Sequence, residues 1–132
     1  MAKKIPMKKI LLYLVMALPF VITAQEKSDW KEMSNFHTLM STSFHPSEEG
    51  NLKPVKAKSD SLLMAAKLWK ASRVPAGYKH KETSETLVKL VKQLSELNTA
   101  VKAGKNDAAL KGMIKEAHEI FHDIVEKCKV GE

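Results

Sequence analysis

Cysteine and arginine are almost missing from this 132-residue chain, where Cys128 and Arg73 each stand alone. A single thiol excludes any intramolecular disulfide, and its place on an apolar stripe assigns Cys128 to the core as a buried thiol. A single arginine, with lysines interleaved among Glu and Asp, excludes the basic, aromatic-rich surface that reads nucleic acid. The chain has no glycine-rich phosphate loop, no nucleophile elbow and no Ser-His-acid set, so an enzyme is not expected. Sustained period-2 alternation is also lacking, which excludes a sheet.

Long hydrophobic runs are lacking too, except for one at residues 10–22. That run follows Lys3, Lys4, Lys8 and Lys9, is too short to span a bilayer comfortably, and ends at Ile22-Thr23-Ala24. Together these read as a cleavable signal peptide over residues 1–24, with the cut before Gln25 and the protein periplasmic or secreted. No cysteine follows the run, so a lipid anchor at the new N-terminus is not supported. The domain is then residues 25–132, long enough for one modest core. The signal carries four lysines and no acids, so its removal lowers the formal net charge from +7 to +3.

What the remaining chain has is a 3-4 spacing of apolar residues. Trp30, Met33, His37, Met40 and Phe44 form a first stripe, which the spacing ends at His45-Pro46, because a residue before proline avoids the helical region. A second helix follows Leu52, Val55, Ser59, Leu62, Ala66 and Trp69, and residues 73–81, with Pro75 and Gly77, read as a loop. The third starts near Thr83 or Ser84, runs along Leu87, Leu90, Leu94, Leu97 and Val101, and stops at Gly104. Asn106 or Asp107 caps a fourth, whose stripe is Leu110, Ile114, Ala117, Phe121, Ile124 and Cys128. Four such helices on short connections predict an all-α, up-down-up-down four-helix bundle. Met64 and Met113 read as core filler, and Trp30 and Trp69 as core aromatics.

The fourth helix carries His118-Glu119-Ile120-Phe121-His122, an H-E-x-x-H motif. Imidazoles at i and i+4 lie on one helical face, about 6 Å apart, a spacing that chelates one metal ion or lines one cofactor pocket. Peptidases with this motif draw a third ligand from well downstream, whereas the ten residues after His122 contain no histidine. The motif is therefore read as a binding site. His37 sits mid-stripe between Met33 and Met40, where an unsatisfied buried imidazole costs on the order of 1–3 kcal/mol. Counted from the helix ends, His37 and His118 match in depth, so both are expected to reach one site with Met33 or Met40 as a soft ligand and His122 as a further one. A His/Met shell suits copper or haem iron, while zinc would take His37, His118, His122 and a carboxylate such as Asp60.

In architecture, and over residues 104–122 in particular, the chain resembles the periplasmic four-helix-bundle cytochromes, both the small b-type ones and cytochromes c-prime. That resemblance implies His118 as proximal haem ligand and Met33 as the second, with electron transfer as the role. The chain lacks C-x-x-C-H, so the haem it implies is the non-covalent haem b. His37 and His122 depart from the pattern and speak for a bare ion. The competing expectation is a ligand-free interaction module that docks on another periplasmic protein or a membrane complex.

The export reading predicts that protein isolated from its native host lies outside the cytoplasm and begins at Gln25. Mass spectrometry showing residues 1–24 still attached would overturn it.

Overall fold

The computed structural model describes residues 30–131; the expected signal peptide and its cleavage site lie outside the described residues. The described residues are all-helical: α1 (Lys31–Glu48), α2 (Lys53–Ala71), α3 (His80–Lys102) and α4 (Asp107–His122), the last extended by a π-helical turn at Asp123–Lys127. Among them no strand occurs, only an isolated bridge between Tyr78 and Lys129. Each helix packs on the next, and α4 closes back onto α1 along the most sparsely packed seam of the bundle.

The helix ends follow from local chemistry. α1 runs on past Pro46, where the sequence spacing stops it, because a proline in the last turn forfeits only one helical hydrogen bond. The chain then closes through a Schellman turn: Gly50, at φ 89°, donates to Ser47 O, and Asn51 donates to Pro46 O. The same device ends α3 at Gly104 (φ 74°), where Gly104 donates to Val101 O and Lys105 to Ala100 O. α3 begins at His80, earlier than the apolar spacing suggests, because its first turn is held by a partner distant in sequence. Lys79 N donates to Cys128 O (2.7 Å), and Val130 N to Gly77 O (2.8 Å). The Asn106 side chain caps α4 by accepting from Ala109 N at 2.9 Å.

One core cluster joins all four helices, with Phe36, Met40, Val55, Leu62, Trp69, Leu90, Leu94, Leu97 and Ile114 fully enclosed. The stripes of α2, α3 and α4 point inward as the spacing predicts, and Cys128 is buried. Trp30 and Trp69 are core aromatics in T-shaped contact at 5.6 Å, and Trp30 Nε1 donates to Ser72 Oγ at 2.8 Å. Met113 packs against the core, but Met64 is 57% exposed. Between α2 and α3, Ser59 Oγ donates to Asn98 Oδ1 (2.8 Å) and Asn98 Nδ2 donates to Asp60 Oδ1 (2.7 Å).

Because α4 carries the H-E-x-x-H motif, its N-cap is a direct handle on the element. Asn106→Ala is expected to destabilise the fold by about 1 kcal/mol, lowering Tm by about 4–8 °C. A far-UV circular dichroism melt unchanged from wild type would remove Asn106 from that role.

Candidate functional site

Rotation of α4 about its axis sets the site. Phe121 is buried, with its ring 5.7 Å from Phe36 and 5.9 Å from Trp69. With Phe121 turned inward, helical geometry of about 100° per residue carries His118 and His122 to one flank, about 60° and 100° round. That flank borders α1. His118 is half-buried there, its ring stacked on Phe44 with centroids 3.8 Å apart and planes 10° from parallel. His122 lies one turn on, its ring 4.5 Å from that of His118 and nearly perpendicular to it.

The two imidazoles are held differently. His122 Nδ1 meets Glu126 Oε2 at 2.9 Å, an exposed i,i+4 pair. In the neutral ring a proton on Nδ1 donates to that carboxylate and leaves the Nε2 lone pair free, the arrangement that carboxylates impose on metal-binding histidines. His118 is held by rings, stacked on Phe44 and edge-on to His122. Burial disfavours its charged form and lowers its pKa from the ordinary 6.5, and His122 and His45 lower it further against the opposing pull of Glu48 and Glu119. A depressed pKa keeps more of the ring in the neutral form that binds metals.

Glu119, the acid of the motif, is exposed and faces Lys115 at 3.7 Å. His45 pairs with Glu48 at 3.3 Å on the surface of α1.

The other expected ligands are not drawn to this pair. His37 is exposed rather than mid-stripe: Phe36 takes the inward position, and His37 stacks on Phe121 at 5.2 Å. Both residues satisfy a 3-4 spacing between Met33 and Met40, and burying the phenyl ring removes more apolar surface from water without orphaning a polar group. His37 thus meets α4 at Phe121 while His118 meets α1 at Phe44, contacts about 10 Å apart along α1 and about 4.5 Å apart along α4.

Met40 is fully enclosed in the core. Met33 is half-buried, and its sulfur accepts a hydrogen bond from Tyr78 Oη at 3.6 Å. It lies eleven residues of α1 from Phe44, about 16 Å, so as arranged Met33 and His118 do not fit as the two axial ligands of one haem. Asp60 lies on the α2–α3 side, bound to Asn98 and 3.4 Å from Lys102, contacts that hold its carboxyl below the usual range. Among the described residues, no three His, Cys, Asp or Glu side chains gather to hold a metal ion by themselves.

Phe44, a stripe residue by its spacing, is also the platform for His118, a role that periodicity does not mark. The pairing of Glu126 with His122 is marked in the sequence by their i,i+4 spacing.

The lowered His118 pKa has a direct readout. Its NMR titration midpoint is expected below 6.5. The unfolded chain then binds more protons in the window beneath 6.5, so stability is full above that value and declines as pH falls from it through the folded pKa. His118→Gln is expected to flatten that part of the stability profile, and a wild-type midpoint at or above 6.5 would overturn the assignment.

Comparison with family models, curated proteins and solved structures finds no match to this chain.

Proposed function

We propose that this protein is an exported, up-down-up-down four-helix bundle that binds one copper or zinc ion on its α1–α4 seam through His118 and His122. The topology is supported by contacts that climb one helix while descending the next. Trp30 meets Ser72 and Thr42 meets Lys58 between α1 and α2, while Thr86 meets Cys128 and Gln93 meets Met113 between α3 and α4. Export rests on the basic and apolar pattern of residues 1–24. No helix among the described residues is long and apolar enough to cross a membrane.

The ion reading rests on one observation above all: two imidazole rings at i and i+4 with centroids 4.5 Å apart. Phe44 backs one ring and the Glu126 carboxylate orients the other. Imidazole suits copper and zinc better than calcium or magnesium. With two protein ligands, the remaining positions fall to exchangeable ligands, which fits binding and handing on an ion rather than catalysis. Haem b, implied by the cytochrome resemblance, is the competing cofactor.

A second reading, a ligand-free module docking on a periplasmic or membrane partner, is favoured by the exposure of Met64 (57%) and Leu68 (59%), neighbours at i,i+4 on α2.

Titration of Cu²⁺, Zn²⁺ and haem into the mature chain separates these readings. Wild type is expected to bind copper or zinc tighter than about 10 μM, and His118→Ala or His122→Ala to weaken it roughly 10-fold or more. Affinity should fall with pH, since both ligands must be neutral. His37→Ala should leave the affinity unchanged. Binding of none of the three tighter than about 10 μM would replace the ion by the docking reading.

A further inference from the structure

A cleft of about 220 Å³ opens between α1 and α4, lined by Phe44, Ser47, Glu48, Lys111 and Lys115. It adjoins the histidine pair, because the Phe44 ring that lines it also stacks on His118. Positions 111, 115, 118 and 122 advance by four, three and four residues, so all fall between about 60° and 120° round α4 from the inward Phe121. Two ammonium groups and two imidazoles therefore share one face of one helix.

The charges of the cleft are unequally engaged. The Glu48 carboxylate pairs with His45 at 3.3 Å, while the Glu48 carbonyl, at the end of α1, accepts from Lys111 Nζ at 3.3 Å. The Lys115 ammonium is 3.7 Å from Glu119, both side chains largely exposed, an association that solvent makes weak and easily exchanged. One helical turn, about 5 Å, separates Lys115 from His118. That is the scale on which a small chelator can bind an ion at one end and offer a carboxylate oxygen at the other.

We propose, building on the ion site above, that the ion is held as a mixed complex with a small α-aminocarboxylate. Its amine and one carboxylate oxygen complete the coordination that His118 and His122 begin, and its outer oxygen accepts from Lys115 and Lys111. Among the described residues no third ligating side chain joins the two histidines, so a bidentate ligand from solution fills the positions they leave. The lysines are what select a carboxylate over water there, through charge-assisted hydrogen bonds.

Equilibrium dialysis of labelled glycine against the mature chain, with and without one equivalent of Cu²⁺ and with bound copper measured alongside, tests this. Copper-loaded wild type is expected to retain about one glycine per copper, and copper-free protein none. A Lys111→Met/Lys115→Met variant should keep wild-type copper affinity in glycine-free buffer yet hold glycine roughly 10-fold more weakly, the scale of lost charged hydrogen bonds. Copper-loaded wild type that retains no glycine overturns the mixed complex and leaves the ion site standing. Equal retention by the double variant overturns the role of the lysines. Failure of wild type to take up copper overturns the copper site and the mixed complex together.

Discussion

The contact of Phe36, Trp69 and Phe121 closes the bundle, because it brings α1, α2 and α4 together where the α1–α4 seam is otherwise thin. The three rings lie 5.5 to 5.9 Å apart, in the range where aromatic pairs add about 0.5–1.5 kcal/mol to the burial of their area. Its larger effect is geometric. Once Phe121 faces inward, α4 has no rotational freedom left, and residues a quarter-turn away must lie along α1. His118 is thereby set against Phe44, and His37, left outside the core by Phe36, against the Phe121 ring.

Much of this was legible in the chain, and the failures have physical causes. α2 and α3 read well because the 3-4 spacing of their inward residues runs through each helix, from Leu62 and Trp69 to Leu87 and Leu97. α1 offers two adjacent candidates, Phe36 and His37, that periodicity alone does not separate; the outcome turns on apolar area and on the cost of burying an imidazole. The matched depths of His37 and His118, counted from the start of α1 and the end of α4, do not say which face of α1 a side chain takes, and it is Phe36 that turns inward. α4 also continues as a π-turn in which Cys128 N donates to Asp123 O at 3.2 Å. A wider turn of this kind leaves no mark in a 3-4 pattern. The early start of α3 depends on Cys128 and Val130, some fifty residues away, and no local signal reports a partner so distant. The histidine pair itself was visible as a motif, whereas its platform was not, since a stripe residue such as Phe44 looks the same whether it meets aliphatic chains or a ring.

Polar groups play a different part on the opposite side of the molecule. Ser59, Asn98 and Asp60 form a short chain of hydrogen bonds across α2 and α3, and its geometry is satisfied in one register only. A buried amide whose partners were lost by a one-turn slip would cost about 1–3 kcal/mol, so the chain specifies alignment more than it adds stability. With α2–α3 registered by polar atoms and α1–α2–α4 by aromatic rings, the seam that carries the histidines is, among the described residues, free of registering polar contacts apart from Lys111 on the Glu48 carbonyl.

That freedom bears on the kind of site the seam can be. Two ligands on successive turns of one helix hold an ion without tying α4 to α1, so on the proposed reading binding stabilises the local turn and leaves the packing of the bundle unchanged. A site joining His37 to His118 would instead have coupled occupancy to closure of the seam, and the ion would have become a structural staple. On the proposed reading the two duties are separate: aromatic rings close the bundle, and an ion on the imidazoles at its edge would keep positions open to ligands from solution. A site of that form exchanges its ion readily, because release needs only the loss of two bonds from one helical face and no movement of the core.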